Sequence, residues 1–326
     1  MVQYFGATGG SQTFVFVHAH PDDETLWTGG LIATAAAAEA RVVVVTCTRG
    51  ERGEVLALRG TASADEGWRE GKPVALATYR AGELRQALDA LGPGIEHHFL
   101  DELPGGDFDR YEDSGMVWVA PGIAGPDPSV TRGFANTPRN EAASRLAKLL
   151  YQLRDDSPGS EMVIVTYESG GGYGHPDHVR AHQVAVRAAE LAQNLANSIP
   201  PSGDESRMLV WERVVPYQQF VAANEVLAAY KKARKLAKKQ KLQPPLTQIT
   251  PDAMPPMVLP PGVAPDIVIP VEPVLGNVIA ALLQYATQIQ AVTEFPKLAN
   301  IGVLGCFALS NGVLAPIRPT EEYRVH

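Results

Sequence analysis

Two short runs carry most of the chemistry open to this chain. His18-Ala19-His20-Pro21-Asp22-Asp23-Glu24 closes the apolar stretch Thr13 to Val17, and Tyr173-Gly174-His175-Pro176-Asp177-His178 follows the apolar stretch Met162 to Thr166 in the same way. Imidazoles and carboxylates at the end of a buried strand are costly unless they hold one another, a metal or a substrate. Two nitrogen and carboxylate clusters, each just past a strand, are what a mononuclear metal site needs, with three protein ligands and a fourth position left for water. His20, one of Asp22 or Asp23, and a histidine of the second run supply the three. Adjacent aspartates do not project alike, so one can bind metal while the other takes a proton from water. Pro21 fixes φ and stops the strand. Pro176 suits a first helical turn, which puts His175 at the cap, His178 in the first turn and a helix N-terminus toward the site. Asp177 is placed to hydrogen-bond a histidine. The chemistry is metal-assisted hydrolysis.

The first run alone would also suit a capped helix start, since Asp is common there. Its recurrence at a second strand end is what the capping reading leaves unexplained. Other histidines read differently. His18 lies inside the strand as a core residue, and His97 and His98 point to opposite faces of a strand and cannot chelate together. His182, one turn after His178, could join it on a metal, and its first reading is packing on the sheet.

The elements that must position these runs follow from pattern. Thr13 to Ala19, Arg41 to Thr48, Glu96 to Leu100, Met162 to Tyr167 and Met208 to Val215 read as strands. Glu24 to Ala40, Arg80 to Leu91, Arg139 to Leu153 and a stretch from His178 to Leu195 read as helices between them. That alternation predicts an α/β, Rossmann-like fold, a mostly parallel sheet with helices on both faces. The Gly, Asp and Pro-rich segment from Asp101 to Asn136 reads as a long functional loop. A polar stretch, Ser198 to Ser206, precedes the last of these strands. We expect residues 1–216 to form the metal-dependent α/β domain and 217–326 a smaller C-terminal α+β unit. The smaller unit comprises a helix from Gln218 to Lys241, a proline-rich linker from Gln243 to Pro265, a strand from Asp266 to Val271 and a helix from Gly276 to Gln290.

Composition narrows the class. The 326 residues carry a formal charge of -8, which argues against nucleic-acid binding. Two cysteines make no disulfide framework, and no apolar stretch is long enough to span a bilayer. A cytoplasmic location with no membrane partner is the expectation. The run Lys231 to Lys241 holds seven cations and reads as a solvated helix face. Oligomeric state is left open, a homo-oligomer included.

The pair HAHPDDE and GGYGHPDHV resembles the LmbE/PIG-L family of metal-dependent N-acetylglucosaminyl deacetylases. Further matches are Val45 to Val55 (VTCTRGERGEV), Tyr79 to Leu84 (YRAGEL), Asp113 to Met116 (DSGM), Ala286 to Gln288 (ATQ) and Ala308 to Asn311 (ALSN). They look like the actinobacterial branch that includes the mycothiol-biosynthesis deacetylase and the mycothiol S-conjugate amidase. The resemblance implies zinc held by His20, Asp23 and His178, with Asp22 as general base; a His/His/Asp set serves ferrous iron as well. It also implies that Tyr173 and His175 stabilise the oxyanion or protonate the leaving amine, and that Glu54, Arg80 and Asp113 bind the sugar or inositol. One departure is Tyr285, which stands before ATQ where a relative has histidine. The implied reaction is removal of an N-acetyl group from an amino-sugar substrate, the inositol-linked glycoside first. The rivals are amidase action on S-conjugates, deacetylation of another N-acyl amino sugar, and a sugar-binding module without catalysis. Against the last, the turn after the first strand lacks GxGxxG and carries three acids that would repel a pyrophosphate.

Overall fold

The computed structural model describes residues 12–56, 73–105, 110–156, 160–197, 208–247, 249 and 253–326. The polar stretch Ser198 to Ser206 lies outside them. In the first strand, β1 (Gln12–His18), Phe14 and Phe16 enter one core layer while Val15 and Val17 enter the other. This is the two-residue period of a strand buried on both faces. The chain continues through α1 (Asp23–Ala37), β2 (Arg41–Thr46), α2 (Pro73–Leu91) and β3 (Glu96–Phe99). A hairpin, β4 (Val117–Ala120) and β5 (Ile123–Gly125), occupies part of the expected long loop. Then come α3 (Arg139–Asp156), β6 (Glu161–Tyr167), α4 (Pro176–Asn197) and β7 (Met208–Pro216).

Strands β3, β2, β1, β6 and β7 lie side by side in that order, all parallel. Leu31 and Ile32 of α1 and Leu84 and Leu88 of α2 pack on the phenylalanine face. Leu146 and Leu150 of α3 and Ala181 and Val184 of α4 pack on the valine face. The chain therefore adopts the expected α/β architecture, with helices on both faces of a mostly parallel sheet. Because β1 sits between β2 and β6, the crossovers leave it in opposite directions. The carboxyl ends of β1 and β6 thus flank a crevice at the topological switch point, where ligands bind in open α/β sheets.

Beyond residue 216 follow α5 (Tyr217–Ala229), α6 (Lys231–Gln240), β8 (Val258–Leu259), β9 (Ile267–Pro270), α7 (Leu275–Leu282), β10 (Gln290–Glu294), β11 (Gly305–Ala308), β12 (Leu314–Ile317) and β13 (Thr320–Val325). Strands β10, β11 and β12 form a small antiparallel sheet. β13 and β9 instead extend the main sheet, antiparallel, from its β7 edge. The C-terminal residues thus build both a smaller sheet and one flank of the large one.

Two helices differ from their sequence reading. The helix expected from Gln218 to Lys241 breaks at Tyr230, whose backbone is extended (φ -73°, ψ 121°) and whose ring packs edge-on against Phe295 at 5.0 Å. In α6 Ala233 turns inward while the cations stay exposed, the solvated face expected of that run. The helix expected to reach Gln290 ends at Leu282, because Glu83 draws off the chain beyond it. That carboxylate accepts the Thr287 N–H at 2.8 Å and its hydroxyl at 2.6 Å.

Strand β13 is tied to α1 through Glu321, which accepts the N–H groups of Gly30 at 2.7 Å and Leu31 at 2.9 Å. A Cβ on Gly30 would lie 2.8 Å from Glu321 Oε1 and 2.8 Å from Val271 Cγ2. Gly30→Ala is therefore expected to destabilise the fold by about 1–3 kcal/mol despite alanine's higher helix propensity, the cost of overpacking a filled contact. Denaturant midpoints of the two proteins, at unchanged m, check it.

Candidate metal centre

The chain leaves β1 through a strained turn. Asp22 has φ 110°, ψ -31°, outside the left-handed region that asparagine and aspartate commonly visit, a conformation costing about 1–3 kcal/mol. Arg80 of α2, 3% exposed, holds it there. Its Nη2 donates to the Pro21 carbonyl at 2.6 Å and to Asp22 Oδ2 at 3.1 Å, and its Nη1 to the Gly50 carbonyl at 2.5 Å. Glu24 closes the turn from below by accepting the Asp22 N–H at 3.1 Å. It also accepts the hydroxyls of Thr25 and Tyr285, each at 2.5 Å. Tyr285 is fully buried and does not line the cleft, so the departure from a relative's histidine puts a hydroxyl under the turn.

The neighbouring carboxylate turns the other way. Asp23 Oδ2 lies 3.1 Å from His20 Nδ1 and 3.3 Å from His178 Nε2, and it accepts the His20 N–H at 2.9 Å. Trp27 Nε1 donates to the second oxygen, Oδ1, at 3.2 Å. On the far side of the ring, His20 Nε2 is 3.3 Å from Asp177 Oδ2 and 3.6 Å from Asp113 Oδ1. The His175 ring stands 4.7 Å from both His20 and His178 between centroids, and Tyr167 stacks on His178 at 4.2 Å. His175, just before Pro176, and His178, two residues after it, arrive from the cap and first turn of α4.

Burial dominates the electrostatics and the carboxylates divide its effect. It opposes charge on His20, but Asp113, Asp177 and Asp23 override it and hold the imidazole pKa well above its ordinary value. Burial likewise opposes ionised Asp23, and His178 and His20 hold that carboxyl well below the usual range. Asp22 goes the other way. Burial, with Asp23 and Glu24, raises its pKa well above a normal carboxyl against the pull of Arg80 and His20. Burial, His178 and His20 together keep His175 neutral, its pKa well below that of a free imidazole.

These groups open into a cleft of about 380 Å³. Of the residues singled out in the sequence, His20, Asp22, Asp23, Glu54, Arg80, Asp113, Tyr173 and His175 line it. Glu54 reaches it as an exposed side chain, far less enclosed than Asp113. His178 and Asp177, both fully buried, lie behind the wall. Asp177 also accepts the N–H groups of Ser114 at 2.8 Å and Ala135 at 3.0 Å, tying the second run to the loop that carries Asp113. His18 stays in the core with Nε2 2.9 Å from the Thr28 hydroxyl, its pKa pushed down to about 3 by burial. His182 turns onto the sheet, its Nδ1 2.9 Å from the Tyr167 carbonyl, and His97 meets the Thr46 hydroxyl at 3.1 Å.

Several contributors carried no motif signal. Trp118 of the hairpin stacks on Tyr173 at 5.7 Å, and Tyr173 on Trp27 at 6.3 Å, making an aromatic ladder along the cleft. Gly172, at φ 76°, permits it, since a Cβ there would lie 2.2 Å from the Trp27 ring. The proline-rich segment does more than link two elements. Leu246, Pro255 and Met257 line the cleft, and the Met257 N–H bonds to the Gly172 carbonyl at 2.9 Å.

A cation fits this donor set. His178 is fully buried and neither ring nitrogen has a hydrogen-bond partner, although Nε2 faces Asp23 at 3.3 Å. An orphaned imidazole is expensive, and a metal ion is the partner it lacks. Ligand atoms of His20, His175 and His178 lie within 4.8 Å of one another, as do those of His20, Asp113 and Asp177. Neither group contains Asp23, whose Oδ2 faces His20 at 3.1 Å and His178 at 3.3 Å, and two imidazoles with a carboxylate suit zinc or ferrous iron.

The chain has clear relatives. The family model for PIG-L, GlcNAc-PI de-N-acetylase, matches residues 15–189. A Kineococcus radiotolerans protein named 1D-myo-inositol 2-acetamido-2-deoxy-alpha-D-glucopyranoside deacetylase is 36% identical over 316 residues, covering 95% of this chain and 76% of the relative. A Saccharopolyspora erythraea protein of the same name, numbered 1, is 39% identical over 314 residues, covering 95% and 88%. Among solved structures, the 4-carboxy-2-hydroxymuconate hydratase GalB of Pseudomonas putida KT2440 is 15% identical with a TM-score of 0.49, covering 96% of this chain and 95% of its own. The matched family segment runs from β1 into α4 and takes in both histidine runs, and the chain belongs to the PIG-L family of de-N-acetylases.

Proposed function

We propose that this protein is a metal-dependent amide hydrolase that removes the N-acetyl group from an N-acetylglucosamine-containing small molecule, the inositol-linked glycoside for which its relatives are named. His20, Asp23 and His178 would hold the cation, zinc or ferrous iron. When bound, such a cation supplies Lewis acidity to the amide carbonyl and to water. The observation that carries the reading is the divergence of two adjacent aspartates. Asp23 faces the histidines, while Asp22 is turned onto Arg80 and lines the cleft, so ligand and base are separate groups.

Asp22 takes the proton of the attacking water and returns it to the departing nitrogen, so that amide and water become acetate and a free amine. His175 Nδ1 accepts the Asp177 N–H at 3.1 Å, which leaves the proton of the neutral ring on Nε2. That N–H is the donor to the carbonyl oxygen as it gains charge. Tyr173 is a second donor. Burial, Asp23, Asp22 and Asp113 raise its pKa well above that of free tyrosine, so its hydroxyl keeps the proton. Each donor contributes on the order of 3 kcal/mol to such a transition state. Glu54 and Asp113 take sugar hydroxyls. Arg80 has spent Nη1 and Nη2 on Gly50, Pro21 and Asp22, which makes positioning the base its main part. Asp177 orients His20 and fixes the His175 tautomer. Among the described residues no helix is long and apolar enough to cross a membrane.

Acetate release from the inositol-linked glucosaminide is expected to vanish on chelation and return on adding zinc or ferrous iron. It is expected to exceed release from simple N-acetylglucosaminides. Metal uptake without turnover of any N-acetylated sugar would count against deacetylation, and no metal uptake would overturn the reading.

A further inference from the structure

Tyr173 is a donor whose aim rests on packing alone. Its hydroxyl makes no hydrogen bond among the described residues. The turn that carries it has Gly171, Gly172 and Gly174 at positive φ, and glycine is the residue least able to hold one backbone conformation by itself. What surrounds the ring is aromatic. Trp27 lies nearly parallel to it, 12° between planes and 6.3 Å between centroids, and Trp118 stacks on it as well, at 25° and 5.7 Å.

The two indoles differ in their own anchorage. Trp27 belongs to α1 and donates its Nε1 proton to Asp23 Oδ1 at 3.2 Å. Trp118 belongs to β4 of the hairpin and lines the cleft, 44% exposed. An indole left half in water forgoes much of the burial its ring could gain. The hairpin is seated on the Tyr173 turn, since a Cβ on Gly174 would lie 2.6 Å from the Ala124 carbonyl oxygen. On its other side a Cβ on Gly122 would lie 2.9 Å from Leu246 of the proline-rich segment. The hairpin is thus wedged between that segment and the turn, and the wedge delivers one indole to the phenol.

We propose that Trp118 is a positioning residue for the Tyr173 donor. Its stack holds the phenol so that the O–H points to where the amide oxygen gains charge. The proposal rests on the deacetylase reading for the role of Tyr173 and extends it to a hairpin residue that acts only through another side chain. A stack of this kind favours one ring orientation over others by about two- to tenfold, and a misaimed donor contributes little to the transition state.

The test pairs kinetics with a signal from the ring itself, on the full-length, metal-loaded protein. With the inositol-linked glucosaminide, Trp118→Ala is expected to lower kcat about five- to tenfold and leave KM within about twofold, while Trp118→Phe keeps most of the rate. In a Tyr173→Phe background Trp118→Ala should cost less than about twofold, because the hydroxyl it aims is already gone. Labelling with 3-fluorotyrosine supplies the second readout. The fluorine resonance missing from Tyr173→Phe identifies Tyr173, and in Trp118→Ala it is expected to narrow as the ring begins to turn freely. A raised KM at unchanged kcat would make Trp118 a substrate contact and overturn the proposal. So would an undiminished loss in the Tyr173→Phe background, or a resonance that keeps the width of a fixed ring. If Trp118→Ala fails to fold, Trp118→Leu, apolar but without a ring face, takes its place in both measurements. If the wild type releases acetate from no N-acetylated sugar, deacetylation falls, and the resonance decides the hold of Trp118 on Tyr173 by itself.

Discussion

Replacing His178 by alanine is expected to yield a folded protein that retains no stoichiometric metal after gel filtration and releases acetate about 10³-fold more slowly. That factor corresponds to about 4 kcal/mol, the scale of a lost Lewis acid. The folded part of the expectation follows from α4, which is anchored by Ala181, Val184, Ala185 and Ala188 in the core and not by His178. The metal part follows from the ring itself. It is fully buried, makes no hydrogen bond, and presents Nε2 to Asp23 at 3.3 Å. Its ring packs on Tyr167, His175, Tyr173 and Trp27, so His178→Gln, closer in volume, serves as a second variant. His182→Ala is the control. It stands one helical turn further on, with Nδ1 2.9 Å from the Tyr167 carbonyl, and its loss should leave metal content unchanged. Elemental analysis of the three proteins beside their acetate release decides the matter. Full occupancy in His178→Ala would remove this residue from the ligand set.

Much of this geometry was legible because its parts are contiguous. HAHPDDE and YGHPDH each sit at the end of an uninterrupted apolar strand, and parallel neighbours β1 and β6 bring two strand ends together at one crevice. What pattern could not show are contacts between residues far apart in the chain. Nothing local ties Tyr285 to Glu24 across 261 positions, or Arg80 to Asp22 across 58. Strand β13 is the clearest omission. Thr-Glu-Glu-Tyr-Arg-Val looks too charged for the inside of a sheet, yet Glu322 is fully buried and Glu321 nearly so. Their charges are met by the amides of Gly30 and Leu31, by Tyr323 and by Arg213, all distant or invisible to periodicity. The aromatic ladder has the same origin. Trp27, Trp118 and Tyr173 come from a helix, a hairpin and a glycine turn, and only the fold makes them neighbours.

Asp22→Asn should separate chemistry from metal binding. The variant is expected to keep its metal and its fold and to lose about 10²–10⁴-fold in acetate release, the range a positioned general base contributes. Asparagine suits the site for two reasons. It tolerates positive φ better than other residues, so the 110° backbone at this position can persist. Its amide oxygen can also keep the contact that Arg80 Nη2 makes at 3.1 Å, while the proton-accepting carboxylate is gone. Stability should hold or rise, because a buried carboxyl whose charge is opposed by burial, Asp23 and Glu24 is replaced by a neutral group. Arg80→Met provides the comparison. It keeps the carboxylate but removes the three hydrogen bonds that hold Gly50, Pro21 and Asp22 together. Its activity should therefore fall along with its unfolding midpoint, where Asp22→Asn loses activity alone. If Asp22→Asn instead lost metal with its activity, Asp22 would be a ligand and the division of labour between the two aspartates would have to be reversed.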